Sequence, residues 1–298
     1  MPHRSCRALS AGLALVLALT AGPVRAGAAE FLQSFVWSSP ETTFGGFSGL
    51  ELTANGTGFV ALSDRGTLWR GTIARDGAGR ITALTTRGPV VLHDSAAKPV
   101  AGRTGDSEGL ALAADGSVFV SFEGLARVAH YPADAGPARK LPRPKAFARF
   151  QINSALEALA IAPDGTLYTL PERSGQRDLP FEVWRFRGGA WSQPFTLPRD
   201  GDWLPVGADF GPDGRLYLLE RDFWGILGFL SRVRVFTIAG DRLSGGEVLL
   251  QTGAGRHDNL EGISVWRDGS GALRLTLISD DNFSLFQRSE LVEYRLAP

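Results

Sequence analysis

Between Gly105 and Glu123 the chain spells out one structural unit. Leu110, Ala111 and Leu112 form an apolar run, Asp115-Gly116 interrupts it, and Val118, Phe119, Val120 and Phe122 resume it. Asp-Gly between two apolar runs predicts a β-hairpin, because glycine accepts the positive φ that a tight turn demands. Folding the hairpin brings its acidic outer ends, Glu108 and Glu123, to one edge of a sheet.

The unit recurs. Glu157–Glu172 repeats it around Asp164-Gly165, Gly207–Glu220 around Asp213-Gly214, Ser48–Asp64 around Asn55-Gly56, and Glu261–Asp280 around Asp268-Gly269. In each copy a small residue stands seven positions before the turn glycine: Gly49, Gly109, Ala158, Gly207 and Gly262. These residues are 60, 49, 49 and 55 positions apart. A period near 50 with several short strands per unit is the pattern of propeller blades. Third strands are predicted over 126–131, 182–186, 232–237 and 291–296, and outer strands of the first blade over 80–92. His93–Thr104 and Pro132–Pro144 read as loops. The fold class is therefore all-β, a β-propeller with five visible repeats and five or six blades. The last repeat has room for only three strands, so the strand-like segment Glu30–Trp37 is expected to complete it and close the ring.

Composition narrows the class. The 298 residues are 44% hydrophobic and 10% aromatic, enough for a sizeable core. Lys+Arg and Asp+Glu are both 31, so no nucleic-acid or membrane-surface field is implied. Met1–Ala26 reads as an export signal: Arg4 and Arg7 precede an apolar run too short to span a bilayer, and Val24-Arg25-Ala26 is a small-x-small cleavage pattern. The expected mature domain is 27–298, exported to the periplasm or beyond, monomeric and without stable membrane insertion. Cleavage would remove Cys6, the only cysteine, so no disulfide supports the fold.

The chemistry lies in the acids. The first strand of each propeller blade lines the central channel, and the second runs back beside it. The starts of the first strands carry Glu108, Glu157 and Glu261; the ends of the second carry Asp64, Glu123, Glu172, Glu220 and Asp280-Asp281. Gathered at one mouth, like charges need a compensating cation or a basic partner. Oxygen ligands from several blades suit Ca²⁺. The candidate ligands are Glu108, Glu157 and Glu261, joined by Asp106, Asp258 and Asp281. Arg65, Arg173 and Arg221 each follow one of the strand-end acids and are candidates for binding a small anionic substrate through their planar forks. His257, just before Asp258-Asn259-Leu260-Glu261, is the candidate general base. Phe223–Leu230 is apolar without alternation and reads either as packing between blades or as a lip beside a cleft. No zinc spacing, Gly-x-Ser-x-Gly elbow or dinucleotide fingerprint is present.

At these residues the chain resembles a family, the bacterial exported phytase-like proteins with esterase-like activity. The resemblance is carried by Asp106-Ser107-Glu108-Gly109-Leu110 with Asp115-Gly116-Ser117-Val118-Phe119-Val120-Ser121, by Asn153-Ser154-Ala155-Leu156-Glu157-Ala158-Leu159, and by Asn259-Leu260-Glu261-Gly262-Ile263. It runs from about Phe47 onward. It implies a propeller and, by analogy with β-propeller phytases, calcium-dependent hydrolysis of phosphate esters. The expected function is hydrolysis of phosphate or related esters. The alternatives on the same scaffold are a metal-dependent lactonase or carboxyl esterase, and a ligand-binding propeller without catalysis.

Overall fold

The computed structural model describes residues 29–297 other than 135 and 152; the leader expected over 1–26 lies outside them. Twenty strands form five four-stranded antiparallel sheets, and no α-helix occurs among the described residues. Strand β1 (Ala29–Val36) comes first and is used last. Blade one is β2 (Phe47–Leu52), β3 (Gly58–Ser63), β4 (Thr67–Arg75) and β5 (Ile81–Val91). Blade two is β6 (Ser107–Leu112), β7 (Val118–Phe122), β8 (Arg127–Tyr131) and β9 (Arg139–Lys140). Blade three is β10 (Leu156–Ile161), β11 (Leu167–Pro171), β12 (Phe181–Arg187) and β13 (Ala190–Leu197). Blade four is β14 (Leu204–Phe210), β15 (Leu216–Phe223), β16 (Phe229–Ala239) and β17 (Arg242–Gln251). Blade five is β18 (Asn259–Arg267), β19 (Leu273–Asp280) and β20 (Glu290–Leu296), completed on its outer edge by β1. The protein is a five-bladed propeller, and the ring closes as expected.

Closure is antiparallel, with Phe35 opposite Leu291 and Ala29 opposite Leu296. Trp37, just past β1, stacks on Phe47 with ring centres 4.7 Å apart and meets Phe44, Phe59 and Trp69 edge-on. The closing strand is thereby tied to blade one as well as to blade five. Five apolar clusters hold the ring, each shared by two neighbouring blades. One joins blades four and five through Tyr217, Val233, Leu260 and Tyr294; another joins two and three through Val128, Phe147, Leu159 and Trp184.

The repeat glycines act at two places. At the hairpin tips, Gly56, Gly116, Gly165 and Gly214 have φ between +67° and +83°, and the preceding Asn or Asp accepts the backbone N–H two residues on. The connections are longer than a two-residue turn: in blade two the last pair is Leu112 with Val118. Blade five departs from the pattern. Its left-handed residue is Gly271, not Gly269, so its turn lies two residues later and β18 is longer than its counterparts. At the channel, the small residues let inner strands approach closely. A Cβ on Gly262 would stand 2.7 Å from the backbone nitrogen of Leu50 in the next blade. Gly262→Ala is expected to destabilise the protein by about 1–3 kcal/mol, read by urea unfolding, because neither backbone can move aside.

The predicted Pro132–Pro144 loop contains β9, the two-residue outer strand of blade two. Of the apolar stretch Phe223–Leu230, Phe223, Trp224, Ile226 and Leu227 are exposed, and only Leu230 at its end is buried.

A carboxylate cavity at the channel mouth

Every inner strand carries an irregularity at the same point. Pairing with the second strand slips between Phe47 and Gly49, Ser107 and Leu110, Leu156 and Ala158, Pro205 and Gly207, and Leu260 and Gly262. A β-bulge re-aims the side chain it skips. The skipped positions hold Ser48, Glu108, Glu157, Val206 and Glu261, so three of the five blades present a glutamate. This bulge is what places the predicted inner acids together.

They line one cavity of about 160 Å³. Glu108, Glu157 and Glu261 share it with Asp64, Glu123, Glu172 and Asp280 from the second strands and their ends, and with Asn153. Against these seven carboxylates stands one guanidinium, that of Arg221. It is bound to Glu172 at 3.0 Å, to Glu261, and to the side-chain oxygen of Asn259 at 2.9 Å. Asn259 in turn donates to Glu261 at 2.8 Å. One arginine satisfies two acids and leaves the rest facing one another.

Their proton affinities reflect this. Burial, then the charges of Glu157, Glu261, Glu123 and Asp106, push the Glu108 carboxyl well above the usual range. Burial, then Glu172, Glu123 and Glu261, does the same to Glu157. Burial followed by Asp106 and Glu172 raises Glu123 to about 8; burial followed by Glu261 raises Asp280 to about 8. Asp64, less enclosed and beside Arg65, rises to about 6, chiefly through burial. An all-oxygen donor set with this little internal compensation fits a hard divalent cation. Asp106, Glu108 and Glu123 each offer an oxygen within 4.8 Å of the others, the tightest such group among the described residues.

A family model described as phytase-like, esterase-like activity of phytase, matches residues 42–283. The chain belongs to the phytase-like family. No curated protein matches it significantly. Among solved structures it is similar to the PQQ-bound aldose sugar dehydrogenase of Streptomyces coelicolor (13% identical, TM-score 0.47, covering 88% of this chain and 98% of that one). It is also similar to virginiamycin B lyase of Staphylococcus aureus (11% identical, TM-score 0.44, 90% and 99%) and to a gluconolactonase of Xanthomonas campestris (15% identical, TM-score 0.40, 80% and 68%). At that level of likeness these neighbours say nothing of the chemistry of this phytase-like chain.

The other predicted site residues lie apart from the cavity. Asp258 accepts hydrogen bonds from Gln287 Nε2 and the backbone nitrogens of Asn259 and Arg288; Asp281 accepts from Gly46 N, Phe283 N and Ser289 Oγ. Both tie loops together and neither lines the cavity. His257 is buried against Tyr294, its Nε2 2.6 Å from the phenol oxygen and its Nδ1 3.9 Å from Glu290. Burial lowers its pKa, and it borders a neighbouring groove instead. Arg65 lies over the Phe283 ring, 3.2 Å from its centre. Arg173 lies beside Glu172 at 3.4 Å and borders a larger basin of about 570 Å³ outside the cavity, together with Arg177, Arg199 and Arg221.

Glu220, expected at the mouth, is instead fully buried inside blade four. Arg232 Nε donates to it at 2.9 Å and Arg234 Nε at 2.7 Å. The signal for this was present in the sequence: Arg232 and Arg234 alternate on one face of a strand that pairs with the one carrying Glu220. A second acid pair went unanticipated. Glu51 and Asp209 are buried on the inner strands beyond the glycine positions, and Asp209 accepts from Val265 N at 2.6 Å. Burial lifts both, Asp209 to about 7, and Glu51 Oε1 has no hydrogen-bond partner.

Proposed function

We propose that the carboxylate cavity holds a divalent cation, with Ca²⁺ the best match, and that this phytase-like protein hydrolyses esters of small anionic substrates, phosphate esters foremost. One observation carries the reading: seven carboxylates from several blades face one small cavity with a single arginine among them. Asp106, Glu108 and Glu123 are the residues placed to hold the cation, with Glu157 and Glu261 beside them. A cation there would supply Lewis acidity to an ester oxygen and acidity to a bound water.

The chain's own residues account for the remaining roles. Arg173, Arg177 and Arg199, on the basin leading to the cavity, bind the anionic end of the substrate. Arg221 acts as a positioning residue, since its guanidinium is already engaged by Glu172, Glu261 and Asn259. Carboxylates facing the cavity but outside the tight three-acid group, Asp64 and Asp280 among them, are placed to accept the proton that an attacking water releases. His257 has no part in this reading, because its Nε2 is engaged by Tyr294.

Elemental analysis of the purified protein, followed by assays with p-nitrophenyl phosphate, p-nitrophenyl acetate and a lactone, tests it. Chelation is expected to lower phosphate-ester hydrolysis at least tenfold, and added Ca²⁺ to restore it. Equal rates with and without chelator would overturn the metal reading. Hydrolysis confined to the acetate or the lactone would move the substrate class to carboxyl esters.

A further inference from the structure

The face that opens the carboxylate cavity also carries an apolar lip. Ile226, Leu285 and Phe286 are 98–104% exposed, and Phe223, Trp224 and Leu227 more than half exposed. Phe223 ends β15, Trp224, Ile226 and Leu227 lie on the loop joining it to β16, and Leu285 and Phe286 lie on the loop joining β19 to β20. The first loop is held in shape. Trp224 N donates to Gly228 O, Gly228 N to Gly225 O, and the Trp224 indole N–H to Asp222 at 2.9 Å. Phe223 and Phe229 pair with ring centres 4.7 Å apart. A segment so braced displays its apolar groups on fixed backbone, and a cluster of them on a monomer's surface marks a binding site.

The lip borders a groove of about 730 Å³. Phe223, Ile226, Phe229 and Phe286 supply its apolar wall, and Arg256 and Arg288 its basic side. This groove shares Phe223, Phe229 and Asn282 with the arginine-bearing basin. The basin shares Glu172 and Arg221 with the carboxylate cavity. One continuous path therefore runs from acids through arginines to exposed aromatic and aliphatic groups. Asp258, the acid bordering the groove, is occupied by Gln287 and the backbone of Arg288.

We propose that this groove is the subsite for the apolar part of an anionic amphiphile, an ester bearing one alkyl, acyl or aryl chain. Its charged end lies among the arginines of the basin, and its chain lies along Phe223, Ile226 and Phe286. For the reaction this rests on the hydrolase reading above; for binding it does not.

The test is binding of methyl, butyl, hexyl and octyl phosphate, each below its micelle concentration, by calorimetry on the purified protein with and without added Ca²⁺. Affinity is expected to rise about twofold per added methylene, against about fourfold for complete burial of each. The Ile226→Ser/Phe286→Ser double variant changes only exposed groups. It is expected to bind methyl phosphate, which has no chain to reach the lip, as the wild type does and to lose most of the gain with chain length. Affinity independent of chain length in the wild type, or an unchanged slope in the double variant, overturns the proposal. So does a wild type that, without chain-length dependence, self-associates through the lip in sedimentation velocity or pellets with anionic phosphatidylglycerol vesicles. Chain-length-dependent binding without hydrolysis would leave the subsite standing and remove the hydrolase reading; cation-dependent hydrolysis with flat affinities would do the reverse.

Discussion

In the presence of a chelator, the melting temperature is expected to fall on the order of 10 °C between pH 5 and pH 8. Glu108, Glu157, Glu123 and Asp280 at the mouth, and Glu51 and Asp209 beyond the glycine positions, all have folded pKa values above those of an unfolded chain, mainly because they are buried. Between its unfolded and folded values, such a carboxyl binds more protons in the folded state than in the unfolded one. Stability is therefore full below the unfolded pKa, near 4, and is lost as pH rises toward about 8, the level reached by Glu123 and Asp280. Saturating Ca²⁺ should cancel most of the loss at pH 8, because a ligand that binds only the folded state stabilises it. At pH 5 its effect should be small, since protons then hold the same oxygens. Melting curves with EDTA and with Ca²⁺ across this range decide the matter. A chelated protein equally stable, or more stable, at pH 8 would show that the mouth acids are compensated within the chain.

Replacing Glu108, Glu157 and Glu261 together by glutamine should separate folding from function. The substitution keeps shape and removes three mutually repelling charges, so the chelated variant at pH 8 should melt several degrees above the chelated wild type. Its response to Ca²⁺ should vanish, where the wild type gains about 2.7 kcal/mol at a concentration one hundred times Kd. Ester hydrolysis should fall at least a hundredfold. Glu220→Gln is the matching control: it breaks a buried arginine–carboxylate cluster, should cost about 3–5 kcal/mol, and should leave the Ca²⁺ response in place. If the triple variant and the wild type respond alike to Ca²⁺ and chelator, the three glutamates are blade-edge structure and the cation lies elsewhere or is not bound.

Both experiments turn on how the acids are grouped, and the sequence went far toward that grouping. The positions of Glu108, Glu157 and Glu261 relative to Gly109, Ala158 and Gly262 were legible because a blade is built from neighbours in sequence. Its register is set by local hydrogen bonds and by a turn a few residues away. The same locality made the third strands readable, and the one unpaired edge left by the last repeat pointed to β1.

What lay beyond the sequence was decided between strands and between blades. In blade five, Gly269 stood in register with the other turn glycines, yet the chain turns at Gly271, because the bulge at Glu261, and not the hairpin tip, sets the alignment with neighbouring blades. Glu220 stands one residue earlier in its repeat than Glu172, opposite Pro205 as Pro171 is opposite Leu156, so its side chain faces the blade interior, where Arg232 and Arg234 meet it, and Arg221 takes the mouth position. Asp258, Asp281 and His257 are close to mouth acids in sequence and are nonetheless turned to loop backbone and to Tyr294. Arg221 meets Glu172 and Glu261 from blades three and five, contacts spanning about 50 and 40 residues that no local rule specifies. Sequence by itself determined the repeat, the ring and the residue types at its mouth, since these follow from short-range periodicity. Only the packing of blade against blade decided which charges meet, because that choice depends on side chains reaching across interfaces between parts of the chain far apart in order.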